Sequence, residues 1–534
     1  MHFDALVIGA GFAGLYQLHS LRDRLGLRVR VLEAGGDLGG TWYWNRYPGA
    51  RCDSESHAYR YFFSRELNDE WQSTERYPGP PEIRAYLDYV AKKFDLRRDM
   101  KFGVRVTAAS FDEGTNRWRV ETESGEQCTA TYLVAAVGCL SAANVPDIPG
   151  LKDFRGNWYH TGQWPQEGVD FTGKRVGQIG TGSTGIQAAP VIAQSAAHLT
   201  VFQRTANYSV PARNAPLTPE FKRWVRDNFD EIRGIARSTV NGHAFRISER
   251  NVADVTPEER EAVYQAAWET GGLQFRATFR DLITDRAANA TAAEFLKARI
   301  RAVVKDPATA ESLANIDHPY AAKRPPIDTD YFETFNRANV SLVDLRADPI
   351  ERITADGIRT EGKSGPREHA LDIIVFATGF DAMTGPLLKM DIRGRAGRSL
   401  REDWKGGPET YLGLQMPGFP NLFTITGPGS PSVLSNMLVS IEQHVDWTLG
   451  CIEFMRERGF RRIEATAEAE SQWVAHVNEV GHTTLYPQAG SWYMGANVPG
   501  KPRVFMPYVG GVGAYREKCD QVASNGYEGF ALGR

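Results

Sequence analysis

ALVIGAGFAGLYQLHSLRDRLGLRVRVLEAG, residues 5–35, joins three patterns: an apolar run that stops at glycine, a segment with apolar residues at helical spacing, and an alternating strand ending on Glu33. Gly9, Gly11 and Gly14 open the helix. Glycines at this spacing allow a tight strand-to-helix turn, let backbone amides approach a pyrophosphate, and permit close packing of helix on strand. Glu33 follows about 20 residues on, where an acid accepts hydrogen bonds from ribose hydroxyls. Alone, such a loop is a tight turn of many α/β proteins. Strand, helix and terminal acid together predict a dinucleotide site.

The unit recurs. RVGQIGTGSTG, residues 175–185, carries Gly180, Gly182 and Gly185, with a helix predicted through Ile186–Ser195 and a second strand in HLTVFQRT, residues 198–205. Gln203, Arg204 and Thr205 stand where an NAD site usually places an acid. A carboxylate there repels a 2′-phosphate, whereas arginine attracts it through charge-assisted hydrogen bonds worth roughly 1.5–3 kcal/mol. The alternative for Arg204 is a solvated surface side chain; the missing acid favours NADPH. Two dinucleotide sites on one chain imply two nucleotide cofactors and electron transfer between them.

Between the first loop and Asp53 lies GGTWYWNRYPGARCD, residues 39–53, dense in aromatics, glycine and arginine. It reads either as a core loop or, from its place directly after Glu33, as a run along the first cofactor towards a flat ring such as a flavin. KFGVRVTAASF, RWRVETESG and TYLVAAVG suggest a small antiparallel meander beside the first parallel sheet. Residues 215–320 are rich in Glu, Arg, Ala and Gln and read as a helical insertion, with Thr256-Pro257-Glu258-Glu259 as one helix start. Strand character returns in ALDIIVFATGF, residues 370–380, where Asp372 and the turn Ala377-Thr378-Gly379 read either as a return of the chain between the two domains or as an ordinary buried strand with a tight exit.

The fold class expected is α/β, with two Rossmann-like dinucleotide-binding domains, for FAD and NADPH, and a helical insertion in the NADPH domain. The boundaries read as 1–145 and 381–534 for FAD, 146–214 and 325–380 for NADPH, and 215–324 for the insertion. At 534 residues the chain is long enough for about three or four domain-sized units. Its 42% apolar and 24% charged content is that of a globular protein. A net charge of −3 gives no reason to expect a nucleic acid or an anionic membrane as partner. No apolar run approaches the roughly 18 residues needed to span a bilayer, and MHFDALVIGAG enters a strand with no leader pattern. Five scattered cysteines (Cys52, Cys128, Cys139, Cys451, Cys519) form no CxxC pair and no zinc-like spacing. A cytoplasmic protein without disulfides or metal is expected, and disulfide-reductase chemistry is excluded.

FRGNWYHTGQWP, residues 154–165, resembles the Phe-x-Gly-x-x-x-His-x-x-x-Trp-Pro fingerprint of the type I Baeyer–Villiger monooxygenases, with Phe154, Gly156, His160, Trp164 and Pro165 in its fixed places. Gly40-x-Trp42, Tyr47-Pro48-Gly49 and Asp53 meet a longer family motif. VPARNAPL (210–217), SNMLVSIEQH (435–444) and SWYMGANVPGKPRVFM (491–506) look most like the phenylacetone and steroid monooxygenase branch. The resemblance implies that NADPH reduces a bound FAD, that reduced flavin takes up O2, and that a flavin peroxide attacks a ketone to give an ester or lactone. It assigns Arg324 as the permanent positive charge beside the peroxide and Asp53 as its acidic partner. Lys323 matches a second cation for the NADP phosphate, and Trp492 a residue closing over the nicotinamide ribose.

By the same matching, Ala13, Thr41, Trp42, Trp44, Tyr59, Val106 and Met437 look like FAD contacts, with Asp53. Arg51, Cys52, Thr181, Ser183, Thr184, Gln187 and Thr205 look like NADP contacts, with Arg204, Arg324 and the second glycine loop. His160 is read as a linker residue holding domain-coupling hydrogen bonds rather than as an acid or base. Cys139 stands where that branch has a glutamine, and Val433 where it has a smaller residue; Cys139, Leu434 and Met437 are therefore expected to shape the ketone pocket. Partners are a small-molecule ketone and O2, and the chain is expected to act as a monomer. Two other readings stay open: a flavoprotein oxygenating nitrogen or sulfur, with sulfoxidation as a side activity of the favoured one, and a non-catalytic NADPH-responsive flavoprotein.

Overall fold

β1 (His2–Ile8), α1 (Phe12–His19) and β2 (Val29–Leu32) form the first predicted unit in a computed structural model that describes residues 1–363 and 365–534. β1 and β2 run parallel, with Ala5 beside Val29. Leu6 and Val7 are both fully buried, as befits a parallel strand covered on both faces. β3 (Met100–Lys101) extends the sheet beyond β2. β4 (Val106–Asp112), β5 (Arg117–Thr122) and β6 (Gln127–Ala135) make the predicted antiparallel meander. It is not a separate sheet beside the first one: β6 also pairs with β1 in parallel, so meander and parallel unit are continuous.

The second sheet is wholly parallel. It contains β7 (Asn157–His160), β8 (Arg175–Ile179) and β9 (His198–Gln203), with α2 (Ser183–Ser195) crossing between β8 and β9. The insertion follows, as α3 (Pro219–Asp227), α4 (Phe229–Ser238), α5 (Pro257–Thr270), α6 (Arg286–Val303) and α7 (Pro307–Ala314). Thr256 caps α5 with the reciprocal Glu259 bond expected from the sequence. The insertion is not one body, however. Val225, Phe229, Ile232 and Ala236 of α3–α4 pack with Phe62, Val439 and Val512 of the first unit, while α5–α7 pack on the second sheet.

β10 (Val340–Asp344) and β11 (Ile373–Phe376) complete the second sheet in the order β10-β9-β8-β11-β7. Three antiparallel strands, Ile350–Thr354, Gly357–Gly362 and Gly365–Ala370, lie between them. The chain then returns to the first sheet. β12 (Asp391–Arg393) pairs with β4, and β13 (Leu422–Thr424) pairs in parallel with the end of β6. α8 (Met437–Glu457) packs against α1, and α9 (Val512–Ser524) packs on α8.

The chain crosses between the sheets twice, through residues 136–145 and 377–383. The two crossings pair with each other: Asn144 N–H donates to Gly379 O (3.1 Å), Asp381 N–H to Ala142 O (2.8 Å) and Met383 N–H to Cys139 O (2.8 Å). The fingerprint stretch is not itself the crossing segment, as the linker reading held. Its centre is β7, an edge strand in register with β11, with His160 beside Phe376. No helix among the described residues is long and apolar enough to cross a membrane.

Candidate active site

Each glycine loop is held by the same three approaches. A Cβ on Gly14 would lie 1.8 Å from Gly9 O, and one on Gly185 2.2 Å from Gly180 O, so the third glycine lets the helix sit on the strand end. The first glycines, Gly9 (φ +106°) and Gly180 (φ +113°), abut Ala136 O and Ala377 O, the first residues of the two crossings. The second glycines face open space or another glycine: Gly182 has nothing within 4 Å, and Gly11 looks onto Gly40. Neither α1 nor α2 has a side-chain cap or an acid in its first turn, whereas Thr218, Thr256, Asp285 and Asp306 cap four helices of the insertion. Two helix starts thus keep their N–H groups for an anion. These cradles fit two dinucleotide pyrophosphates.

Glu33 closes the first cradle. Its carboxylate accepts from Ala10 N–H (2.7 Å) and Gly35 N–H (2.6 Å), and burial raises its pKa against those bonds. Ala13 and Val106 are buried near this end, while Thr41 is exposed. Further along, Trp42 Nε1–H donates to the Tyr59 hydroxyl (3.1 Å), and Trp44 packs edge-on to Tyr43. Met437 begins α8 behind the cap Asn436, whose amide also donates to Ala58 O (2.7 Å).

Asp53 and Arg324, 271 residues apart, meet in a two-point ion pair: Nε to Oδ2 at 2.7 Å and Nη2 to Oδ1 at 2.8 Å. A third donor, Nη1, reaches Val433 O at 2.8 Å. The two side chains are 27% and 22% exposed, so the pair is largely but not fully covered. Burial works to raise the Asp53 carboxyl, but Arg324 overrides it and holds the group below the usual carboxylate range. Burial likewise opposes the Arg324 charge, and Asp53 more than restores it.

Two residues missed from sequence adjoin this pair. The Tyr493 hydroxyl lies against Arg324, and Trp492 packs on the Tyr493 ring at 4.3 Å. His243 lies within electrostatic reach of both members of the pair; burial pushes its imidazole down to about 4, so it adds no charge at neutral pH. Tyr493 could have been found beside Trp492, whereas nothing local marks His243. Of the predicted pocket residues, Cys139 is buried beside Ser432, and Leu434 and Met437 are half-buried. Met383 (φ +66°) and Ser432 (φ +36°) take left-handed conformations in the same wall.

The second cradle carries the predicted cations. Arg204 is exposed and Lys323 half-buried. Arg346, not singled out from sequence, donates through Nε to Arg204 O (2.9 Å) and pairs through Nη2 with Asp317 (2.8 Å). Burial, with Arg204 and Arg346 nearby, draws the Lys323 ammonium below its usual range against the pull of Asp317. Thr181 Oγ1 donates to Thr205 O (2.8 Å), and Ser183 and Thr184 open α2.

Two predicted NADP contacts are engaged elsewhere. Arg51 pairs with Glu75 (2.7 Å). Gln187 accepts from Tyr47 Oη–H (2.7 Å) and donates to Arg51 O (3.0 Å), tying α2 to the aromatic loop of the first unit. Cys52 is buried behind Asp53.

In the fingerprint, Phe154 and Trp164 are buried, Pro165 O accepts from Gly168 N–H, and a Cβ on Gly156 would lie 2.4 Å from Asp372 O. His160 Nδ1 accepts from Gly162 N–H (3.0 Å), while its buried Nε2 has no hydrogen-bond partner among the described residues and sits by the crossings at Asn144 and Gly379. Burial lowers the His160 pKa.

Known proteins resemble the chain over its whole length. Residues 3–264 match the family described as pyridine nucleotide-disulphide oxidoreductase, although the five cysteines here are all free and buried. A Baeyer-Villiger monooxygenase of Pseudooceanicola batsensis is 47% identical over 98% of this chain and 95% of its own. A phenazine N-monooxygenase of Lysobacter antibioticus is 44% identical over 99% and 97%. The solved structure of an oxidized steroid monooxygenase bound to NADP is 51% identical over the full length of both chains, with a TM-score of 0.95.

Proposed function

The chain belongs to the Baeyer–Villiger monooxygenases, and on that premise we propose that the Asp53–Arg324 pair is the centre of its reaction. The protein inserts one oxygen atom of O2 beside a ketone carbonyl to give an ester or lactone. FAD, when bound, would carry the two electrons that NADPH gives up in becoming NADP, so that one oxygen atom of O2 enters the ketone and the other leaves as water. The observation that carries the site assignment is the two-point ion pair itself, formed by residues 271 apart and still partly open to a ligand.

Arg324 holds an anionic oxygen. Its charge does not titrate away, and the N–H groups not used by Asp53 and Val433 remain for a ligand. Asp53 fixes the plane of the guanidinium, and the Val433 carbonyl fixes its depth. A charge held in place needs no reorganisation as the reaction proceeds, which is where such donors gain most. Tyr493 supports Arg324, and Trp492, Leu434 and Met437 keep water from the reacting atoms. Ala13, Glu33, Thr41, Trp42, Trp44, Tyr59, Val106 and Met437 line the path assigned to FAD, supported by their run from the first cradle to the ion pair. Residues 1–145 and 381–534 are assigned to the FAD domain, and 146–214 with 325–380 to the NADPH domain. α3–α4 is assigned to the FAD side of the insertion because of its packing. One chain contributes both cradles and the ion pair, which supports action as a monomer; the free cysteines support a reducing, cytoplasmic setting.

A panel of cyclic and aryl ketones, assayed for esters by gas chromatography with NADPH, tests the reading. At least one ketone should yield ester in proportion to NADPH consumed; no ester from any of them sinks it. N- or S-oxygenation is the second reading, favoured by the 44% identical phenazine N-monooxygenase, and an amine and a sulfide belong in the same panel.

Arg204, Lys323 and Arg346 are assigned to the 2′-phosphate. Arg204→Ala should raise the KM for NADPH about 10- to 100-fold, the loss of one charge-assisted contact of about 1.5–3 kcal/mol, and leave that for NADH unchanged. Arg346→Ala should act in the same direction, because it removes a cation and frees the Arg204 backbone. Equal effects on NADPH and NADH would contradict both assignments.

A further inference from the structure

Arg60 is a buried guanidinium with no acid. Only 5% exposed, it donates to Ser56 O (3.2 Å), Asn68 Oδ1 (3.1 Å) and Ser73 Oγ (3.1 Å), all neutral acceptors. Among the described residues no carboxylate lies within 4 Å of it. Burying an unpaired charge is costly, and a guanidinium has five N–H groups, more than these acceptors take. Arg60 also lines a cavity of about 300 Å³ between the segment 60–73 and α3.

The charges around this cavity do not balance. Arg60, Lys222, Arg223 and Arg226 line it against a single acid, Asp69. Asp69 is already taken by Arg65 (3.6 Å), Arg223 by Glu220 (2.9 Å), and Arg226 by Asp227 (3.6 Å). The ammonium of Lys222, a half-buried residue, has no ion-pair or hydrogen-bond partner among the described residues. Two cations, Arg60 and Lys222, are left facing one space. One wall of that space is apolar, built on Trp71.

We propose that this cavity binds a small phosphomonoester, its dianionic phosphate between Arg60 and Lys222 and its organic part against Trp71. Two uncompensated cations call for two negative charges, and a guanidinium fork matches tetrahedral oxyanions. About 300 Å³ exceeds what a bare phosphate fills and lies at the small end of ligand pockets. The ligand would staple α3 to the segment that carries Tyr59, one residue before Arg60. The site is separate from both glycine cradles and does not depend on the oxygenation reading.

The test uses the FAD-loaded enzyme saturated with NADP, so that the cofactor's own phosphate site is filled. Inorganic phosphate and phenyl phosphate are titrated calorimetrically against chloride at matched ionic strength. Saturable one-site binding of both is expected, at least tenfold weaker in Lys222→Ala, and with the phenyl ester the tighter ligand. Arg60→Gln, which keeps a hydrogen-bonding side chain, should weaken it as much. No saturable heat above chloride, or binding unchanged in Lys222→Ala, overturns the site. Phenyl phosphate binding no tighter than inorganic phosphate overturns the monoester assignment. Phosphate should also raise the thermal unfolding temperature of the wild type but not of Lys222→Ala, and equal shifts in both would count against the site.

Discussion

Arg324→Ala should lower ketone oxygenation about a hundred- to a thousandfold, the cost of removing one preorganised charge-stabilising donor. The loss falls mainly in kcat, because the charge assigned to the reacting oxygen is removed while the cations assigned to the 2′-phosphate, Arg204, Lys323 and Arg346, are kept. It has a second effect through Asp53. With Arg324 present, the folded carboxyl titrates below its unfolded value, so the pair stabilises the fold fully above the unfolded pKa of about 3.9. That contribution disappears as pH falls through the lower, folded value. Without Arg324 the strongest lowering influence is gone, and burial, the largest of those that remain, works to raise Asp53: the variant should lose less stability on acidification than the wild type, or gain some. Breaking such a pair costs about 3–5 kcal/mol when fully buried; the partial exposure of both side chains puts this one at the lower end. The double variant Arg324→Ala/Asp53→Asn should regain stability without regaining activity. Thermal unfolding at several pH values and ester formed per NADPH consumed check both statements. Normal activity in Arg324→Ala would remove the site assignment.

Gly49→Ala should separate the two units. Gly49 sits at φ +77°, and a Cβ there would lie 2.1 Å from Gln187 O in α2, a backbone atom that cannot turn aside. Left-handed strain of about 1–2 kcal/mol adds to an overpacking cost of about 1–3 kcal/mol. Relief requires the aromatic loop to withdraw from α2, breaking the Tyr47–Gln187–Arg51 tie. The KM for NADPH should rise about tenfold with the fall in stability, since α2 carries the second cradle. Gly168→Ala is the control: its φ is +80°, but nothing lies within 4 Å of its Cβ. If Gly49→Ala behaves like Gly168→Ala in unfolding and in NADPH dependence, the close approach has no role in joining the units.

What could be read from sequence was local. The glycine loops, the helix start at Thr256 and the missing acid at Arg204 are decided by residues within a few turns of one another, and the fold shows the first two. Pairings between distant strands were not legible. β6 joins the meander to β1 and then takes β13 nearly 290 residues later, so one sheet was read as two neighbours. β7 gives no local sign that it is an edge strand rather than a connection. Lys323-Arg324 before two prolines looks like a surface turn; only family resemblance singled out Arg324, and only the fold brings it to Asp53. Arg346 was missed for the same reason, since its bond to Arg204 spans 142 residues. Arg60 was missed because an unpaired buried charge is visible only when its surroundings are.

The double crossing also sets an order of assembly during synthesis. The second sheet has all its strands once β11 has been made, at residue 376, and is then free to close on itself. The first sheet begins at residue 2 yet waits for β13, at residues 422–424, to cover the end of β6. Until then Leu133 and Val134, fully buried in the finished fold, line an open strand edge on the ribosome-bound chain. The sheet begun first is therefore the sheet whose strands are completed last, and premature termination between residues 376 and 422 leaves its β6 edge uncovered.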